Sequence, residues 1–154
     1  MPPNKFSNLR SLNVKINAIG QKTGQEVGRA VRRGGLAIEN TAVESIKEQT
    51  PGGRLYRSRG DKTKLHPASP PGSPPNADTG ELDTGITSTQ IENGPERYIN
   101  HTASNAPHGP PLEFGSSRMA PRPFMSPAFD ANKDAIEASI RKAIIRGARS
   151  GGKR

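Results

Sequence analysis

Ser126-Pro127-Ala128-Phe129-Asp130-Ala131-Asn132-Lys133-Asp134-Ala135-Ile136-Glu137-Ala138-Ser139-Ile140-Arg141-Lys142-Ala143-Ile144-Ile145-Arg146 is the stretch on which the fold turns. Serine followed by proline is a good N-cap and first-turn pair, and Asp130 sits where a negative charge suits the positive end of a helix dipole. Phe129, Ile136, Ile140 and Ile144 then recur at helical spacing. The pattern predicts a helix over 127–147 with one apolar face, followed by a basic, glycine-rich end.

Upstream of it the periodicity changes. Leu82, Ile86, Ile91, Tyr98 and Ile99 are spaced too irregularly for a helix and are rich in β-formers, and Asn93-Gly94-Pro95 supplies a turn. A hairpin of 82–92 and 96–102 is expected. Near the start, Phe6, Leu9, Leu12, Ile16 and Ile19 give residues 1–24 the look of a short helix, or of an arm that orders on a partner, with Gly20 and Gly24 weakening its continuation. From 25 to 49 the helical signal strengthens through Val27, Val31, Ile38, Ala42 and Ile46, and Thr50-Pro51-Gly52-Gly53 stops it. Gly34-Gly35 in the middle implies either a bend or, as we favour, another backbone packed close.

Residues 51–80 differ in kind. Six prolines (Pro51, Pro67, Pro70, Pro71, Pro74 and Pro75) and few apolar side chains point to a long extended loop. Such a loop serves either as an arm onto a neighbour or as a solvated spacer.

Composition narrows the class of function. Only 30% of the 154 residues are hydrophobic, while seventeen glycines and fifteen prolines make up roughly a fifth of the chain. That is a thin supply for a self-sufficient core, and it suits a subunit completed by its neighbours. A formal charge of +9 favours polyanions without specifying a fold. The excess is densest at the end, in Arg141, Lys142, Arg146, Arg149, Lys153 and Arg154, read either as a solvated tail or as a weak contact with DNA. No cysteine is present, so thiolate metal sites and cysteine nucleophiles are excluded. The first residues lack a signal-peptide pattern, and no apolar run reaches membrane-spanning length.

Catalytic and cofactor motifs are missing. His66, His101 and His108 lack the spacing of a metal pair. Asp78-Thr79-Gly80 and Asp83-Thr84-Gly85 resemble the aspartic-protease triplet, but five residues apart beside a loop they read as turns. No phosphate-binding glycine loop and no nucleophile elbow occurs. Neither an enzyme nor a bound cofactor or metal is expected.

Two segments carry a resemblance. The first is His66-Pro67-Ala68-Ser69-Pro70-Pro71-Gly72-Ser73-Pro74-Pro75-Asn76-Ala77-Asp78-Thr79-Gly80-Glu81-Leu82. The second is Leu112-Glu113-Phe114-Gly115-Ser116-Ser117-Arg118-Met119-Ala120-Pro121-Arg122-Pro123-Phe124-Met125-Ser126-Pro127-Ala128. In order and spacing they resemble the head–tail joining and tail-completion (neck) family of long-tailed phages and prophages, the gene-product-ten-like family of lambdoid phages. The resemblance covers about residues 25–146. It departs in Ala106-Pro107-His108-Gly109-Pro110-Pro111, where the family has a more hydrophobic, tyrosine-containing lead-in, and after Arg146.

The resemblance implies a virion protein of the neck, assembled in the bacterial host cytoplasm and acting as a ring of about six or twelve copies of itself. Its partners would be a portal-side connector or head-closure protein, the tail-tube protein and, weakly, packaged DNA, with no membrane. Asp78, Thr79 and Gly80 would turn the chain into the first strand. Glu113, Phe114 and Gly115 would form a tight turn with a buried ring, and Arg122, Pro123 and Phe124 would lead into and pack the last helix. The expected fold is α+β: an N-terminal helix, a long proline-rich loop, a small antiparallel sheet, and a C-terminal helix packed on it. By segment this gives an arm or short helix at 1–24, one joining domain at 25–147, and a flexible basic end at 148–154. A basic nucleic-acid-binding protein is the alternative, disfavoured because no aromatics interleave the basic residues. A tail-terminator ring is a variant within the same class.

Overall fold

Helical periodicity at both ends and β-formers in the middle give the α+β order seen in the computed structural model, which describes residues 5–94 and 97–151. The elements are α1 (Lys5–Lys47), β1 (Leu55–Arg57), β2 (Leu65–Pro67), α2 (Glu81–Thr84), β3 (Ile86–Asn93), β4 (Tyr98–Ser104), α3 (Gly109–Phe114) and α4 (Met125–Gly151). β1 pairs with β2, and β3 with β4, in two separate antiparallel sheets.

The helices are longer than the sequence suggested. α1 runs unbroken through Gly20 and Gly24, so the expected division at residue 24 is not a helix end. Gly34 and Gly35 lie inside it, both buried, and the Thr102 hydroxyl donates to the Gly35 carbonyl at 3.3 Å. α4 begins before Ser126 and continues through 148–151, which were expected to be a flexible end. In the hairpin, Leu82 falls in α2 rather than in a strand, and the Gly94 N–H closes the turn on the Arg97 carbonyl at 3.0 Å. Pro95 of the expected turn lies outside the described residues.

Two compact units divide the chain. One takes the residues up to Arg33, Gln90–Asn100 and those from Asp134 onward; the other is Gly34–Thr89 with His101–Lys133. The second unit holds the core: Ala42 and Ile46 of α1, Leu82, Ile86, Ala106, Phe124 and Ala128. Ile38, Ala42 and Ile46 are the stripe read from the sequence, and Ile38 packs at the edge of this cluster. The proline-rich segment is fastened to the same unit. The Asn76 side chain accepts from Thr50 N–H at 2.7 Å and donates to the carbonyls of Thr50 and Pro67, both at 3.0 Å. Ala77 N–H reaches the Ile46 carbonyl at 3.2 Å. Prolines lack the N–H that a sheet needs, so one side-chain amide does the stitching. Within 51–80 the chain also forms the unexpected β1–β2 hairpin, pairing Tyr56 with His66.

In the first unit, α1 and α4 meet through small residues. Ala30 and Ala143 are buried, and Gly147 lies so close to the Thr23 backbone that any Cβ would collide with it. The apolar row read from the sequence lies on this side of α4 but is covered only in part: Ile136 and Ile140 are half-buried beside buried Ala143 and Gly147, while Ile144 is 47% exposed. In the second unit Phe129 is 48% exposed beside buried Ala128. Close approach of backbones selects small side chains for the tightest contact.

Candidate functional site

The two motif-bearing segments meet in the second unit. Arg122 Nε donates to the Ser69 carbonyl at 3.0 Å and Gly72 N–H to the Pro121 carbonyl at 2.9 Å. Together they wall a cavity of about 580 Å³, rimmed by Arg54, Arg59, Arg118 and Arg122 over Leu82 and Leu112.

Asp78 holds one side of it. Its carboxylate accepts from the Arg59 N–H at 2.8 Å and from the Ser58 hydroxyl, and lies 3.9 Å from His66 Nδ1. The Arg59 N–H first, then the Ser58 hydroxyl, hold its pKa below the ordinary aspartate value, against a smaller opposing effect of burial. Thr79 and Gly80 turn the chain into α2, not directly into a strand. Gly80 has φ +80°, and its carbonyl accepts from Thr84 N–H at 3.1 Å.

Glu113 holds the other side. It is 92% buried, and its carboxylate accepts the N–H groups of Phe124 (2.8 Å), Met125 and Ser126 (both 2.9 Å), together with the Ser126 hydroxyl at 2.5 Å. These are first-turn donors of α4, which have no partner within the helix. The cap is therefore Glu113, and Ser126, the expected N-cap, is one of its donors. Burial alone would raise the pKa of Glu113. The Ser126 hydroxyl and the three N–H groups outweigh it and hold the pKa below the ordinary glutamate value. Gly115 takes φ +79°, as a tight turn demands. The ring of Phe114 is 78% exposed, so the buried ring expected for this turn is absent. Phe124 is 1% exposed and anchors the core, with half-buried Pro123 before it.

Positive charge concentrates in the other unit. Segments 1–33, 90–100 and 134–154 hold fourteen Lys/Arg against five Asp/Glu, whereas 34–89 and 101–133 hold nine of each. The whole formal excess of +9 thus belongs to the first unit. Lys142 and Arg146 line a groove of about 300 Å³ with Arg33. Arg141 points elsewhere and pairs with Glu137 at 3.8 Å. Arg149 is exposed in the last turn of α4, and Lys153 and Arg154 lie outside the described residues. Leu9, Leu12 and Ile16 are 59%, 52% and 55% exposed. On a helical wheel they continue the face of α1 that meets α4 at Thr23.

His66 is buried, with Nε2 lacking a hydrogen-bond partner, while His101 is exposed and His108 lies at the cavity wall. No helix among the described residues is long and apolar enough to cross a membrane. No family model, curated protein or solved structure matches the chain.

Proposed function

We propose that the chain is a structural virion protein of a tailed phage, a neck subunit that joins the DNA-filled head to the tail by forming a ring. The observation that carries the reading is the unfinished burial of the first unit. Leu9, Leu12 and Ile16 share one face of α1 and stand in solvent, as do Ile91 on β3 and Ile144 and Ile145 on α4. An apolar helix face left in solvent marks a surface that another protein covers. The resemblance of segments 66–82 and 112–128 supports this kind of assembly, and both segments wall the same cavity. The exposed β1–β2 hairpin is the part of 51–80 that we assign to a neighbour. The partners are further copies, a portal-side connector or head-closure protein, the tail-tube protein, and packaged DNA.

The test is mass spectrometry of purified particles from a phage that encodes the chain. A fixed low copy number per particle is expected. Complete, infectious particles that lack the chain overturn the reading. The confinement of the whole charge excess to one unit favours a second reading, a nucleic-acid-binding protein that works outside the particle. A chain absent from particles but bound to DNA in the infected cell would establish it instead.

A further inference from the structure

The first unit carries two rows of cations that converge on one groove. On α1, Lys15, Lys22, Arg29 and Arg33 follow at steps of seven, seven and four, which keeps them on one side of the helix. On α4, Lys142, Arg146 and Arg149 follow at steps of four and three. Arg33, Lys142 and Arg146 line the same groove. All seven are exposed. Glu26 stands between the rows and ties them together, with Oε1 on Arg29 at 2.8 Å and Oε2 on Arg146 at 3.3 Å. It is the sole acidic residue of α1 before residue 39.

We propose that this α1–α4 groove seats the sugar-phosphate backbone of duplex DNA without regard to sequence, with Glu26 acting as a latch that holds two of the seven cations back. The row from Lys15 to Arg33 is roughly 27 Å long at 1.5 Å per residue, the length of about eight base-pair steps. The groove lined by Arg33, Lys142 and Arg146 contains no aromatic ring on which to stack an unpaired base, and Tyr98 lines a different pocket with Arg29. Its chemistry is that of phosphate contact. An acidic protein would need carboxylates spread over the same length, whereas duplex DNA carries dense negative charge along any stretch of that length.

Five cations, Lys15, Lys22, Arg33, Lys142 and Arg149, make no ion pair among the described residues. If each meets a phosphate, the logarithm of the binding constant falls with the logarithm of salt at a slope of roughly −4 to −5. Arg29 and Arg146 are spent on Glu26. The Glu26→Gln variant releases both, so it binds more tightly at low salt with a slope steeper by about two. This inference deepens the packaged-DNA part of the neck reading, but its test needs no particle and can fail while the ring stands.

The experiment is fluorescence anisotropy of the purified full chain with a short random-sequence duplex over a salt series. Circular dichroism confirms that each variant is folded. Lys142→Ala and Arg33→Ala should each flatten the slope by about one. Arg141→Ala removes the same charge from the neighbouring position, about 140° around the helix from Arg146, and should leave the slope as it is. Equal losses from Lys142→Ala and Arg141→Ala would mean that net charge alone attracts DNA, and would overturn the groove. An unchanged slope in Glu26→Gln would overturn the latch. Competition by polyglutamate equal to that of duplex, charge for charge, would overturn DNA in favour of an acidic protein.

Discussion

The Glu113 carboxylate lies 2.8 Å from the backbone N–H of Phe124, so an acid eleven residues upstream opens α4. One side chain thereby sets where α4 starts and places the most deeply buried ring among the described residues in its core.

Glu113→Ala should cost about 2–3 kcal/mol, the scale of losing charge-assisted hydrogen bonds at a buried site. The pH dependence has a definite sign. The folded pKa of Glu113 is held below its unfolded value near 4.5, so its contribution is fully present above that value. It is lost as pH falls through the lower folded pKa. Asp78 acts in the same direction, and the difference between wild type and Glu113→Gln isolates Glu113. Thermal unfolding between neutral and acid pH should show the two curves converging in acid. A constant gap at all pH values would mean that the carboxylate charge contributes nothing.

Two phenylalanines and a glycine of the second motif should respond in opposite ways. Phe124→Ala should destabilise by about 3–5 kcal/mol, as for a fully buried ring. Phe114→Ala should stay within about 0.5 kcal/mol, because the ring is in solvent. Gly115→Val should exceed the ~1 kcal/mol of an ordinary glycine replacement. It combines φ +79° with a Cβ only 3.0 Å from the Met119 carbonyl oxygen. Denaturant unfolding ranks the three, and equal midpoints for the two phenylalanine variants would contradict the burial described.

Gly147→Ala sets propensity against packing. Alanine is favoured over glycine inside a helix by about 1 kcal/mol. Overpacking against the Thr23 backbone should cost about 1–3 kcal/mol and prevail, lowering the melting temperature. A rise would show that the helices separate freely there.

Leu12→Ser and Ile16→Ser should leave the stability of the isolated chain within about 0.5 kcal/mol, since neither residue is buried. Both should reduce tail joining when they complement a phage lacking the gene. Normal titre with the double variant would remove this face from the neck reading.

The helices and the β3–β4 hairpin were legible because periodicity and turn chemistry are local. The ends and the packing were not. Ser126-Pro127 has the form of a cap, yet the acceptor is Glu113, brought in by α3, and no local pattern announces a cap supplied from outside the helix. The row Phe129, Ile136, Ile140 and Ile144 has the form of a core face. The buried side is that one, with Ile136 and Ile140 half-buried, but its tightest points are Ala143 and Gly147, because the approach of a second backbone decides which residues of a face are covered most closely. The β1–β2 hairpin was hidden by the prolines around it, its strands being only three residues each. Of the candidate site, the motif residues were visible singly, and Glu113 and Gly115 stood out within their motif. That both motifs wall one cavity, and that Glu26 joins two cation rows, depends on contacts 53 and 120 residues apart in sequence.

Helices that touch through long side chains can slip past one another by a turn, because knobs and holes recur. The Gly147–Thr23 contact restricts that freedom in one direction, since a one-turn slip that brings Ala143 there sets a Cβ against the Thr23 backbone, whereas the opposite slip brings Gly151. Under a pull that would seat Ala143 the pair should hold register until it comes apart altogether, the behaviour of a ratchet rather than of a slide.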